Sequence, residues 1–250
     1  MKAFVIAFVV IVLAALGAML ALSHVRGNAS ANLVSETRGA TGFHRLDIRG
    51  YAEVTLVQGG TEGVTLDGPS TLLRRIRTEV SDGTLVIDAA GSSGRGWAWL
   101  TGGGSTRPAR ITINLRELDR VEAAGALTIA AGSLKASDLY LDFAGATKLH
   151  IGDLQATRLR LDGAGATKAD IAGKVTQQDI DLSGAGSYDA SRLVSDDAKI
   201  DVSGAGKAVV NVRKTLKVDL SGAGKVEYIG DPELRQSISG VGKVTKREGS

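Results

Sequence analysis

The sequence predicts an all-β protein, a parallel β-solenoid, and two observations carry this prediction. The first is a short phrase ending in glycine that recurs along most of the chain. From Gly125 the steps to the next aligned glycine are 20, 20, 19, 20, 18 and 18 residues. A period this regular is typical of proteins built from stacked repeats. The aligned glycines are Gly50, Gly125, Gly145, Gly165, Gly184, Gly204, Gly222 and Gly240.

The second observation is the alternation of apolar residues on both sides of each glycine. Around Gly204, Val202 precedes the corner and Ala208, Val210 and Val212 follow it, with polar residues between most of them. A period of two indicates a strand with one buried face. Each unit is therefore expected to contain two short strands bent at a corner of small residues.

A unit of 18–20 residues cannot bury its own apolar face, so it is expected to stack on its neighbours. Glycine suits such a corner because a side chain there would collide with the next corner about 4.8 Å away, and because a positive φ costs glycine little. With aromatic residues at only 4% of the chain, the predicted core is thin and aliphatic. An antiparallel sandwich, with the glycines in hairpin loops, is the competing interpretation.

Residues 41–250 are predicted to form one domain, with irregular capping turns over 41–120 and regular repeats over 121–250. In the first part, Asp82 and Gly83 predict a type I′ hairpin turn. Pro69 is expected to open one helical turn. A glycine-rich stretch at 91–104 interrupts the strands and is expected to be an excursion from the stack.

The first 31 residues are predicted to be an export signal or a membrane anchor. Lys2 is followed by residues 3–22, which carry no charge, and a small-x-small site lies at residues 29–31. A cleaved signal peptide fits this order, whereas the length of the apolar run also suits an uncleaved anchor. Either way, the remainder is expected in the periplasm, on the cell surface or in the medium.

The repeats resemble a known family. The run from 72 to 87, the segment 111–122 and the Ser-Gly-Ala-Gly corners are similar to the head GIN domain of auto-transporter adhesins, over about residues 41–245. The resemblance implies a right-handed β-helix, a role in cell adhesion, a homotrimeric assembly and no catalytic residues. This chain departs from the family at the centre of the corner, where Ala185, Ala205, Ala223 and Val241 replace serine.

Two columns of charge are expected on the outside of the stack. The acidic column has one member three residues before each of five successive corners: Asp142, Asp162, Asp181, Asp201 and Asp219. Each member of the lysine column lies three residues after a corner glycine: Lys148, Lys168, Lys207, Lys225 and Lys243. An ion-pair ladder joining the columns across the corner is the favoured interpretation, worth about 0.2–1 kcal/mol per pair. A divalent-cation site on the carboxylates is the alternative.

Composition excludes several functions. The chain has no Cys, which removes disulfides, thiolate nucleophiles and cysteine metal ligands. A net charge of +3 with few aromatics does not suit a nucleic-acid-binding protein. His150 is expected to point outward from a strand, and a lone surface histidine is seldom catalytic. No catalytic, cofactor-binding or metal-binding residue is therefore predicted.

Arg95, Trp97 and Trp99 are the candidate ligand contacts, because both tryptophans of the chain lie in one glycine-flanked stretch. They could stack on a sugar or a partner protein. Equally, they could cover the open end of the stack and protect its edge.

Taken together, the sequence predicts an exported, non-enzymatic β-solenoid that presents a surface for cell adhesion or for protein or glycan contact at the envelope. Two alternatives stay open: a polysaccharide-active β-helix enzyme, and a membrane-anchored module that binds another envelope protein.

Overall fold

The structure, a computed structural model, describes residues 33–89 and 108–248. These residues form an all-β fold with one short helix, as the sequence predicts. The strands are β1 (Leu33–Arg38), β2 (Arg45–Gln58), β3 (Gly63–Pro69), β4 (Arg77–Ser81), β5 (Thr84–Ala89), β6 (Ala109–Leu115), β7 (Arg120–Gly184), β8 (Ser187–Gly204), β9 (Lys207–Gly222), β10 (Lys225–Ile229), β11 (Glu233–Gly240) and β12 (Lys243–Lys246). The helix is α1 (Ser70–Leu73).

The strands of the repeats pair in parallel within one open 12-stranded sheet. β2 pairs with β7, β7 with β8, β8 with β9, β9 with β10 and β11, and β10 with β12, all in parallel. The register follows the repeat, so that Lys207 lies opposite Lys225 and Lys225 opposite Lys243. The antiparallel interpretation of the repeats is therefore wrong for these strands.

The first part of the domain is mixed in direction. β1 pairs with β3, β3 with β6, and β4 with β5 in antiparallel fashion, whereas β2 pairs with β5 and β6 in parallel. The predicted hairpin is present, with Asp82 and Gly83 both at positive φ between β4 and β5. Pro69 precedes the helical turn rather than opening it, because its own backbone is extended. β1 begins before residue 41, where the sequence pattern placed the domain boundary.

Aliphatic side chains fill the interior of the stack in rows that follow the repeat. Ile200, Val202, Ala208, Val210 and Val212 are buried, as the alternation predicts. Phe143 and Tyr188 are the largest of the fully buried side chains. Since successive strands stand only about 4.8 Å apart, like residues lie on like residues and the core forms continuous ladders.

A hydrogen-bonded polar cluster lies among these aliphatic rows. The Tyr188 hydroxyl donates to Gln178 Oε1 at 2.9 Å, and Gln178 Nε2 donates to Ser195 Oγ at 2.7 Å. Ser195 Oγ in turn donates to the backbone oxygen of Asn211 at 3.2 Å. The cluster coincides with register shifts between β8 and its neighbours. Burial raises the pKa of the Tyr188 hydroxyl far above its usual value, so this group stays a neutral donor.

The corner glycines form a column with a conformation that other residues rarely adopt. All eight have φ between 102° and 120°. A Cβ added to Gly145 would lie 2.5 Å from the carbonyl oxygen of Gly125, and one added to Gly204 would lie 2.6 Å from that of Gly184. The corner therefore requires glycine both for its backbone angle and for the close approach of the next repeat.

The second glycine of these Gly-Ala-Gly corners is required for a different reason, which is contact with a side chain that precedes the corner. A Cβ at Gly206 would lie 2.6 Å from Val202 Cγ1, and one at Gly224 would lie 2.6 Å from Leu220 Cδ1. These side chains fill the inside of the bend. The repeat around Gly165 has the reverse arrangement. Thr167 stands at the position of the second glycine, and residue 163, at the position of Val202, is glycine, so the larger side chain follows the corner instead of preceding it.

Candidate functional site

The acidic column lies on the outside of the stack, where Asp181, Asp201 and Asp219 stand opposite one another on β7, β8 and β9. At the other end Asp47 of β2 stands opposite Glu122 of β7, which adds two further carboxylates to the same column. The column therefore runs along most of the described stack.

The cations that neutralise this column are not the ones predicted. Asp201 pairs with Lys199 and Asp219 pairs with Lys217 at 3.1 Å, each on its own strand, rather than with Lys207 or Lys225 across the corner. The expected ladder across the corner is wrong for these pairs. Residues two apart on a strand share one face, whereas the chain turns between Asp201 and Lys207 and directs their side chains to different faces.

A basic column that sequence reasoning missed stands beside the acidic column. Each member lies five residues before a corner glycine, and strand register places Arg45 opposite Arg120, and Lys199 opposite Lys217. The signal was present as a cation two residues before the acid in most repeats. The members are Arg45, Arg120, Arg160, Lys199, Lys217 and Arg235, with Tyr140 and Asp179 at the remaining two positions.

Two arginines of this column, Arg120 and Arg160, contact carboxylates of the next repeat. Arg160 Nε lies 3.1 Å from Asp162 on its own strand, and its Nη1 lies 3.9 Å from Asp179 in the next repeat. Arg120 likewise contacts Glu122 at 2.6 Å and Asp142 of the next repeat at 3.8 Å. The two columns thus form a cross-braced ladder that follows the strand register.

Hydrogen bonding within the ladder favours the charged forms. The bond to Asp162 raises the pKa of Arg160, and the bond to Asp201 raises the pKa of Lys199. Both side chains remain about half exposed to solvent, so each pair contributes little to stability by itself.

The lysine column lies on the other side of the corner and is partly neutralised. Lys207 and Lys225 both contact Glu227, at 3.2 and 2.7 Å, and these two lysines lower the pKa of the Glu227 carboxyl. Lys148 and Lys168 are exposed. His150 points outward as predicted and lies 3.4 Å from Asp170, which also pairs with Arg192 at 3.0 Å.

Two shallow depressions open on the ladder face and share Arg120. The first, of about 270 Å³, is lined by Arg120, Tyr140, Leu141, Asp142, Arg160 and Asp162. The second, of about 400 Å³, is lined by Arg45, Leu46, Asp47, Thr84, Arg120 and Glu122. Together they place guanidinium donors, carboxylate acceptors and one phenol ring along a single surface.

A larger depression, of about 620 Å³, lies at the edge of the sheet that β1 forms. Leu33, Val34 and Ser35 of β1 line one side of it, together with Glu53, Asp67, Gly68, Pro69, Pro108 and Arg110. Leu33 and Val34 are exposed.

Within residues 33–89 and 108–248, no group of three or more His, Asp or Glu side chains is placed to hold a metal ion. The same part of the chain contains no helix that is long and apolar enough to cross a membrane. Arg95, Trp97 and Trp99, and the predicted export segment, lie outside the described residues.

Parallel strands that pair in register with the repeat, and carry charged columns on their outer surface, place this chain among the β-repeat proteins. Comparison of its sequence with family models identifies the family. Residues 42–232 match the family model described as "Putative auto-transporter adhesin, head GIN domain". The chain belongs to this family. No curated protein matches it.

Solved structures agree on the fold. A "putative adhesin" from Bacteroides fragilis has a TM-score of 0.77 at 19% identity, over 87% of this chain and 97% of the other. A "putative adhesin" from Parabacteroides merdae has a TM-score of 0.64 at 16% identity, over 88% and 98%. A "putative lipid binding protein" from Parabacteroides distasonis has a TM-score of 0.66 at 19% identity, over 88% and 98%.

Proposed function

We propose that this protein is an exported, non-enzymatic adhesion module whose repeats form a right-handed β-solenoid, with its charged outer faces as the contact surface. The observation that carries the proposal is the parallel register of 18–20 residues between stacked strands, which repeats the same outward residues at even spacing. A surface of this kind offers many equivalent weak contacts to a polymeric or cellular partner.

Charge distribution supports a contact role over catalysis. A hydrolase or lyase needs an acid, a base and often a cation that converge on one bond. On the described faces the carboxylates instead stand in a column and pair with neighbouring arginines and lysines. Membership of the adhesin family supports the same role.

Export is the second part of the proposal, and it rests on the uncharged residues 3–22. Alkaline phosphatase joined after residue 40 is expected to be active in a bacterial host, because this enzyme needs the oxidising periplasm. An inactive fusion would refute export. Mass spectrometry of the mature amino terminus then separates a cleaved signal from an anchor.

Adhesion is tested with beads that carry the full chain. The beads are expected to be retained on at least one of mucin, fibronectin, collagen and bacterial envelope fragments, while beads carrying the heat-unfolded chain are not. Retention on none of them would contradict the proposal, as would turnover of any polysaccharide incubated with the chain. Sedimentation of the chain free in solution tests the homotrimer that the family resemblance implies.

A further inference from the structure

The basic column is interrupted at one outward position by an aromatic residue. The corner glycines of three successive repeats, Gly125, Gly145 and Gly165, stack on one another, so the residues five positions earlier, Arg120, Tyr140 and Arg160, stand in one row. Tyr140 is the aromatic residue among the column positions that the structure describes, and its side chain is half-buried.

Because residue 140 is tyrosine, Asp142 has no cation two residues before it. Glu122 and Asp162 each pair with the arginine two residues before them, whereas the corresponding position before Asp142 is occupied by Tyr140. Arg120 of the neighbouring repeat reaches Asp142 only at 3.8 Å. A purely structural ladder would be served better by arginine or lysine at residue 140, and this departure points to a different use of the position.

Donors, acceptors and an apolar ring converge around Tyr140. It lies in the depression of about 270 Å³ between Arg120 and Arg160, with Asp142 and Asp162 on the same surface. A guanidinium has five N–H donors, so each arginine keeps donors free beyond those bound to carboxylates. The phenol ring supplies an apolar surface that ends in a hydroxyl.

The charges of this surface nearly cancel, which decides the class of ligand. Arg45, Arg120 and Arg160 face the carboxylates of Asp47, Glu122, Asp142 and Asp162, and Asp47 is also paired with Arg49 at 2.6 Å. A strongly anionic ligand would meet four carboxylates, and a cationic one would meet three guanidinium groups. An uncharged molecule rich in hydroxyl groups can use both donors and acceptors.

The surface is also long. The two depressions share Arg120 and run over the strands that hold Thr84, Arg45, Arg120, Tyr140 and Arg160. Thr84 belongs to β5, Arg45 to β2, and the other three residues to successive repeats within β7. Five rows at about 4.8 Å spacing extend over about 19 Å, which exceeds a single sugar ring.

We propose that this surface binds an uncharged oligosaccharide that lies along the stack, with one sugar ring against Tyr140 and its hydroxyls bound by Arg120, Arg160 and Asp142. The inference rests on the proposed adhesion function and names the ligand class and the face that would serve it.

The test uses the full chain in mild detergent and isothermal titration with four- to six-unit gluco-, manno- and galacto-oligosaccharides of defined linkage, with polygalacturonate as the acidic comparison. At least one neutral oligosaccharide is expected to bind. Binding of polygalacturonate alone, or of none of these probes, would overturn the proposal.

Tyr140→Arg separates a binding role from a structural one. It restores the cation beside Asp142, so the midpoint of thermal unfolding is expected to stay the same or to rise, while affinity for the oligosaccharide falls about tenfold or more, equivalent to roughly 1.4 kcal/mol or more. Tyr140→Phe keeps the ring and is expected to lose less than Tyr140→Arg. Unchanged affinity in Tyr140→Arg refutes the site.

A matched pair of charge variants completes the test. Arg160→Gln and Lys199→Gln each remove one ion-paired cation from the same column, but only Arg160 lines the depression. Affinity is expected to fall in Arg160→Gln and to persist in Lys199→Gln, and equal losses would refute the assigned location. If beads are retained on a surface whatever stands at residue 140, the adhesion function holds and the oligosaccharide site is wrong.

Discussion

Replacing Gly145 with alanine tests whether the corner column holds the stack together. Two penalties act at this residue. Its φ of 108° lies where an L side chain costs about 1–3 kcal/mol. The added Cβ would also lie 2.5 Å from the backbone oxygen of Gly125, so the repeats must separate locally, at a cost of about 1–3 kcal/mol. Gly145→Ala is therefore expected to lower the free energy of unfolding by about 2–6 kcal/mol.

Two other glycines of the same pair of repeats separate the penalties. A Cβ at Gly152 would lie 2.7 Å from the backbone oxygen of Gly132, but Gly152 has no positive φ, so only the steric penalty of about 1–3 kcal/mol applies. A Cβ at Gly132 meets nothing within 4 Å. Gly132→Ala is expected to change stability by no more than about 1 kcal/mol, and in the stabilising direction, because alanine has fewer unfolded conformations.

Urea unfolding followed by circular dichroism, on full chains in the same detergent, measures the three variants. The expected order of destabilisation is Gly145→Ala, then Gly152→Ala, then Gly132→Ala. Because a repeat protein can open locally, hydrogen exchange over residues 120–165 is measured alongside. If Gly145→Ala is no less stable than Gly132→Ala, the stacking of the corners does not carry the energy assigned to it.

Three further predictions concern the interior and the charged faces. Tyr188→Phe leaves the Gln178 oxygen without its donor and is expected to cost about 1–3 kcal/mol in urea unfolding; a loss below about 0.5 kcal/mol would contradict the buried cluster. Gly206→Ala collides with Val202 and is expected to be partly rescued by Val202→Ala, so a double-mutant cycle that shows simple additivity would be the contrary result. The pKa of the Glu227 carboxyl is lowered in the folded state, so the stability it contributes is present above its unfolded pKa and is lost as pH falls through its folded pKa. Glu227→Gln is therefore expected to make the free energy of unfolding fall less steeply at acid pH. An unchanged slope there would refute this.

Because the sequence repeats, much of the fold could be predicted from it. The alternation around Gly204 and the spacing of the corners predict strands, buried positions and the glycine column, because each repeat meets the same neighbours and so carries the same residues. The first strand, Leu33–Arg38, was missed because its burial alternates only weakly and it pairs with β3 of the irregular part.

The ion pairs were harder to predict. Asp201 has a lysine two residues before it and another six residues after it, and sequence spacing favoured the second because it recurs on the far side of the corner. The structure selects Lys199, since the bend of the chain turns Lys207 toward Glu227 on another face. The importance of Tyr140 emerges only when Arg120 and Arg160 are placed on either side of it.

By itself, the sequence determined the class of fold, the repeat length, the buried alternation and the family, because these depend on periods that a linear chain displays directly. Tertiary structure excluded the antiparallel alternative and decided the partner of each charge, the buried cluster of Tyr188, Gln178 and Ser195, and the surface around Tyr140. These features depend on where side chains from separate repeats end in space, and small shifts of register at a bend change that position without changing the period.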